Sequence, residues 1–279
     1  MRKLAIVTDS AADILPATAR KLGVRVAPMR INMGGDDLRD GVDVQIGPYL
    51  DQLGSLQQLP RTSMPSPTDF METYRSLAIQ GYTDILSIHL SRSLSSTIEI
   101  PRFLAGTMFN DVHIEVIDSR AASVAEGAMV LEAAAVAAAG GSIEEAAAKA
   151  LTIRDLIKIQ FVPKRLTNLV KGGRATVLQA FAASALSVKP VMSFNCKGEM
   201  QVVHKAHGMG RVITWRAALP TRGRSRGSSS TSRCTPGPRR ASSASLTPSV
   251  SMAQSAGAEA ARPSVPASPR MWGRARSGS

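Results

Sequence analysis

Aromatic residues make up only 4% of this 279-residue chain, and it has two cysteines. Cys196 and Cys234 do not make a disulfide framework, and they point to a reduced, cytosolic setting. No apolar run approaches the roughly 18 residues of a membrane span. The N-terminus MRKLAIVTDSAADIL carries about five apolar residues before Asp9, short of a signal-peptide core. The histidines are His89, His113, His204 and His207, without metal-ligand spacing. There is no G-x-S-x-G and no P-loop. No catalytic residue, metal site or cofactor is therefore expected.

One sign of charge is nearly missing from the last segment. Residues 214–279 hold 11 Arg, no Lys, no Asp and one Glu, Glu259. They supply +10 of the chain's +13, so the basic character belongs to this tail. The same 66 residues contain 15 Ser and 7 Pro and show no hydrophobic periodicity, so they are expected to be disordered. Such a composition is what a GC-rich gene yields when read in a shifted frame. The competing reading is a basic arm for nucleic acid or an anionic membrane. Only Trp215 and Trp272 interrupt it with aromatic surface, and no nucleic-acid module is present, so a nucleic-acid partner is not expected.

Residues 3–157 alternate strand and helix patterns, which implies parallel β-α-β units. Strands are expected over 3–10, 24–32, 83–90 and 112–120. Helices are expected over 10–24, 66–82, 93–108, 122–141 and 142–157. Ser66 with Pro67 and Asp69 is a strong helix start, and Ser10 with Asp13 resembles another. Residues 34–43 read as a turn or hairpin.

Ligands of parallel sheets sit beyond the carboxyl ends of the strands. Hydroxyls concentrate there: Thr8 and Ser10, Ser91 to Thr97, and Ser119. The loop LPRTSMPSPTDF (59–70) adds Thr62, Ser63, Ser66 and Thr68, stiffened by three prolines. Paired hydroxyls bind carboxylate or phosphate oxygens without a permanent positive charge. Apolar neighbours (Leu59, Met64, Phe70, Leu90, Leu94, Ile98, Phe103, Leu104) suit an amphiphile with an acid head and an apolar tail. Helix capping is the alternative use of the same hydroxyls, and it is the one expected of Asp9 and Ser10.

The chain resembles the DegV family of lipid-binding proteins. The resemblance rests on TDSAADIL (8–15), RTSMPSPTDF (61–70), SRSLSSTIEI (91–100), VIDSR (116–120), LVKGGRA (169–175) and SVKPVMSFNCKGEM (187–200), and covers about residues 3–206. It implies a two-domain α/β fold: a parallel-sheet domain over 1–155, a truncated α+β domain over 156–213, then the tail. It also implies one long-chain fatty acid between the domains, presented to a separate kinase subunit for acyl-phosphate formation, with no catalysis by the binding protein itself. Carried over by position, Thr62 and Ser95 contact the carboxylate, Ser63 and Thr97 stand beside them, and Arg174 of KGGR lies near the head group.

The departures are Ser96 and Pro101, where the family has glycine and a small helical residue, and the absence of a closing histidine and G-P-G turn after residue 206. Three alternatives stay open: a Ser/His hydrolase of small esters using His89 beside Ser91, a nucleic-acid or anion binder acting through the tail, and a non-functional frameshifted product.

Overall fold

The computed structural model describes residues 3–53, 56, 58–107, 109, 111–164, 166–174 and 188–218. The chain divides into two compact units, Met1–Cys234 and Thr235–Ser279. Every described residue lies in the first, as do both expected domains, 1–155 and 156–213. The tail beyond residue 218 lies outside the described residues.

The centre is a four-stranded parallel sheet ordered β2-β1-β6-β7: β1 Leu4–Asp9, β2 Arg25–Ala27, β6 Asp84–His89 and β7 His113–Asp118. Helices cover both faces, as a buried parallel sheet requires. One face of the sheet (Ile6, Leu86, Ile88, Ile117) packs on α5 Val124–Ala138 and α6 Ile143–Leu156 through Met129, Val130, Ala133 and Ala146. Ala5, Val7 and Ile85 on the other face meet Phe70, Tyr74 and Leu77 of α3 Pro67–Ile79 and Leu104 of α4 Glu99–Thr107. The small side chains of α5 and α6 let the two helices pack closely on each other and on the sheet.

A second, antiparallel sheet has the order β4-β3-β5: β3 Arg30–Met33, β4 Asp36–Arg39 and β5 Arg61–Ser63. Gly34 and Gly35, at φ 66° and 99°, close the β3–β4 hairpin with backbone that side chains rarely adopt. Residues 24–32 therefore form two strands rather than the expected one. Pro28 has no N–H to give a ladder, and the chain changes sheet there. Helix α2 is Ile46–Leu53. The second half holds α7 Leu166–Lys171, the antiparallel pair β8 Val188–Phe194 and β9 Met200–His207, and α8 Met209–Ala218. Helix α8 runs through residue 213, where the composition changes. Trp215 stacks on His204 with ring centroids 4.4 Å apart.

The expected helix over 10–24 is shorter. Asp9 caps a single 3₁₀ turn, Ser10–Ala12, and Asp13 at φ 52° ends it, so Ser10 and Asp13 make no capping box. Helix α1 starts at Pro16, whose fixed φ suits a first helical position, and stops at Gly23. Ser66, Pro67 and Asp69 make the expected start of α3, with a full capping box. Pro101 falls in the first turn of α4, where its missing N–H costs nothing. Ser96 has no positive φ, so serine carries no strain there.

Glu126 of α5 is fully buried. Its Oε1 accepts from Thr8 Oγ1 at 3.2 Å, and its Oε2 has no partner. Burial, reinforced by Asp9 and with Thr8 opposing, raises its pKa well above the ordinary value of 4.5. The folded state then holds a proton that the unfolded chain has already lost, so stability falls as pH rises from about 4.5 towards the folded-state pKa. Glu126→Gln should flatten this limb of a Tm-against-pH curve and raise Tm at neutral pH. An unchanged slope would mean that Glu126 is ionised in the fold.

Candidate functional site

The parallel sheet reverses its strand order between β1 and β6, the place where such sheets receive ligands. Here a buried polar chain fills the gap. Asp9 and His89 end these strands, and both are fully buried. His89 Nδ1 lies 2.9 Å from Asp9 Oδ2, and His89 Nε2 lies 2.7 Å from Ser87 Oγ. Tyr74 OH is a further 2.7 Å from Ser87 Oγ. The donors can run in one direction, Tyr74 to Ser87, Ser87 to His89 Nε2, and His89 Nδ1 to the Asp9 carboxylate. Each hydrogen then has an acceptor. Burial, with the Ser87 contact opposing it, pushes the Tyr74 phenol above its ordinary value. Phe70 meets His89 edge-on, with ring centroids 5.2 Å apart.

This geometry overturns the hydrolase alternative built on His89 and Ser91. His89 is inaccessible and pairs with Ser87. Ser91 is also buried, and its hydroxyl donates to the Gly198 carbonyl at 2.9 Å.

Asp9 also accepts from Ala11 N at 3.0 Å and Leu90 N at 3.2 Å, so it fixes the first turns of two loops. Ser10 Oγ accepts from Met29 N at 3.0 Å and fixes a third. Asp9 and Ser10 therefore orient loops, as expected. Outside this plug lie the hydroxyls. Ser95, half-buried, caps the 3₁₀ turn Ser96–Ile98 by accepting from Thr97 N at 3.3 Å. Its Oγ lies 2.8 Å from Thr97 Oγ1, and buried Thr97 Oγ1 donates to Met29 Sδ at 3.8 Å.

Thr62 and Ser63 are exposed on β5, and strand alternation sends them to opposite faces. Thr62 pairs in register with Ile31 on one face. Ser63 pairs with Arg30 on the other face. The register thus separates Thr62 from Ser63, on opposite faces of β5. Arg174 is exposed after α7, where its Nη1 donates to the Gly172 carbonyl at 2.8 Å.

Between α3 and α4 lies a cavity of about 370 Å³, within the range of small-molecule sites. Met64 and Pro67, Met71 from α3, and Ile100, Phe103 and Leu104 from α4 line it. Ser96, next in sequence to Ser95, and Glu99 also line it, whereas Thr62, Ser63, Ser95 and Thr97 do not. Of the expected apolar lining, Phe70, Leu90 and Ile98 belong instead to the buried core.

Sequence reasoning did not find the joint between the two halves. The tip of the β8–β9 hairpin offers three successive carbonyls. Gly198 O accepts from Ser91 Oγ at 2.9 Å, Lys197 O from Ser93 Oγ at 3.0 Å, and Cys196 O from Arg120 Nη1 at 3.2 Å. The motifs SRSLSS, VIDSR and SFNCKGEM held all six residues, but nothing local in them signals that they meet.

Fold and site together define an α/β protein with hydroxyl-bearing loops near the carboxyl edge of a parallel sheet and an apolar cavity between α3 and α4. The family profile described as "Uncharacterised protein, DegV family" matches residues 3–227. The chain belongs to the DegV family. The match runs past residue 213, beyond the limit of about 206 that the sequence motifs suggested. A DegV domain-containing protein of Clostridium perfringens is 33% identical over 213 residues, 76% of this chain and 75% of its own. The solved structure of a DegV-family protein from Thermus thermophilus, described for its fatty-acid binding, is 32% identical with TM-score 0.68, covering 78% of each chain. The fatty-acid-binding DegV-family protein of Streptococcus agalactiae is 26% identical with TM-score 0.70, covering 77% of this chain and 76% of its own.

Gly198 and Gly208 provide a matched test of the joint. Both have positive φ, 81° and 82°, so alanine costs about 1 kcal/mol at either. At Gly208 the added carbon meets nothing within 4 Å, whereas at Gly198 it overlaps Ser91 Oγ and comes to 2.9 Å from Arg120 Cα. Gly198→Ala should lower Tm clearly more than Gly208→Ala. Equal losses would show that the hairpin tip does not bear on the first half.

Proposed function

We propose that this chain binds one long-chain fatty acid, with the acyl chain in the apolar cavity and the carboxylate held by Thr62 and Ser95. The observation that carries the reading is the apolar cavity with Ser96 in its wall, next in sequence to Ser95 and its contact through Thr97 to Met29. It is supported by the fatty-acid binding described for the relatives.

The hydrogen bonds suit an exchangeable ligand. Ser95 gives its hydrogen to Thr97 Oγ1 while Thr97 gives its own to Met29. When a carboxylate arrives, Ser95 turns its hydrogen to the ligand, and Thr97 keeps its contact with Met29. No buried donor loses its partner, so the empty and filled states are both satisfied. Thr62 is exposed and donates without rearranging the core. Thr97 orients Ser95, Ser63 serves the opposite face of β5, and Arg174 attracts the acid or meets phosphate on a partner.

In this reading the protein is a carrier in the cytoplasm and catalyses nothing. It presents the acid to a kinase subunit, which forms the acyl phosphate. Residues 1–155 and 156–213 act as its two halves. The family match runs to residue 227, so a shifted reading frame would begin after that point rather than near residues 208–214.

A hydroxyl-to-carboxylate bond contributes about 1.5–3 kcal/mol, so Thr62→Ala/Ser95→Ala should weaken binding roughly 100-fold or more. Native mass spectrometry of the chain purified from bacteria should show a bound fatty acid that the double mutant lacks. A folded wild-type chain that carries no lipid, and takes up none when palmitate is added, would refute the carrier reading.

A further inference from the structure

The hydroxyl of Thr62 sits on a weak element. Strand β5 has three residues, all exposed, and among the described residues it pairs only with β3. Ordering each residue costs about 1–2 kcal/mol of backbone entropy, and so short an edge strand is marginal alone.

Arg30 braces it. Arg30 pairs in register with Ser63, the last residue of β5. Its guanidinium reaches over the next residues to the start of α3, where Nη2 donates to Asp69 Oδ2 at 2.7 Å and to Ser66 Oγ at 3.3 Å. Nη1 lies 3.7 Å from Asp37 Oδ2 on β4. The Asp69 carboxylate also accepts from Ser66 N at 2.9 Å and Ser66 Oγ at 2.7 Å. One side chain therefore ties β3, β4 and the capping box of α3 together, and residues 63–66 are held from both ends. The pair is largely shielded, with 20% and 15% of the two side chains exposed, which favours a charge-assisted contact over an exposed ion pair. Burial would raise the Asp69 carboxyl, but the Ser66 contacts and Arg30 outweigh it and hold it below its ordinary value.

We propose that Arg30 is a positioning residue for the head group: through Asp69 and Ser66 it sets where Thr62 presents its hydroxyl, and so gives the site its preference for an acid over an uncharged amphiphile. This rests on the fatty-acid reading above. Arg30 does not touch the ligand, because strand alternation puts it on the face opposite Thr62.

The test compares palmitate with 1-hexadecanol, which has the same chain without the carboxylate. Affinities are measured for the wild type, Arg30→Met, the milder Arg30→Lys and Asp69→Asn. Arg30→Met and Asp69→Asn should weaken palmitate about tenfold, the loss of one charge-assisted constraint, and leave hexadecanol within a factor of about two. Arg30→Lys, which keeps the charge but not the fork, should fall between. If palmitate and hexadecanol weaken in parallel, Arg30 only supports the cavity wall and the proposal fails. If neither changes, the brace is irrelevant and the proposal fails while the carrier reading stands. A wild-type chain that binds neither compound overturns both.

Discussion

The Asp9 carboxylate is the constraint on which the ligand side of this fold depends. It terminates β1 in a fully buried position. An isolated carboxylate there would be prohibitively costly, so its oxygens must be matched by donors. It receives Ala11 N, Leu90 N and His89 Nδ1, from two chain segments about eighty positions apart. Satisfying one charge thereby fixes the exits of both central strands. The loops that follow carry Ser10, Met29 and Ser95 to their places.

The same requirement shapes what the sheet can hold. The gap between β1 and β6 would ordinarily admit a ligand, but Asp9, His89, Ser87 and Tyr74 occupy it as a closed polar chain. The apolar cavity is displaced outward, between α3 and α4. No member of the buried chain lines the cavity, and in the proposed reading the hydroxyls that exchange partners lie in the loops above.

Much of the scaffold was legible because its signals are local. Ser66, Pro67 and Asp69 announce α3, Gly23 ends α1, and Gly140–Gly141 separate α5 from α6. Pro28 was equally visible, yet its effect depends on a second sheet that no local pattern reveals. The hydroxyl cluster was half legible. Composition marked the hydroxyl-rich stretches, the family resemblance singled out Thr62, Ser63, Ser95 and Thr97 within them, and only the β3–β5 register divides Thr62 from Ser63. Asp9 with His89, Arg30 with Asp69 and Ser91 with Gly198 were not legible, since each joins distant segments through side chains that read as ordinary surface or cap residues in isolation. Glu126 was hidden by its setting, an alanine-rich helix in which either acid, Glu126 or Glu132, looks solvent-facing.

The joint between the halves is chemically lopsided. The first half contributes side chains, and the hairpin tip contributes only main-chain oxygens. A carbonyl is present whatever residue bears it. The tip can therefore drift in sequence at Cys196 and Lys197 without disturbing the contact, while Gly198 and the donors Ser91, Ser93 and Arg120 have little freedom. The two sides of one interface are thus exposed to unequal evolutionary constraint, and the hairpin is the side on which new surface chemistry can accumulate.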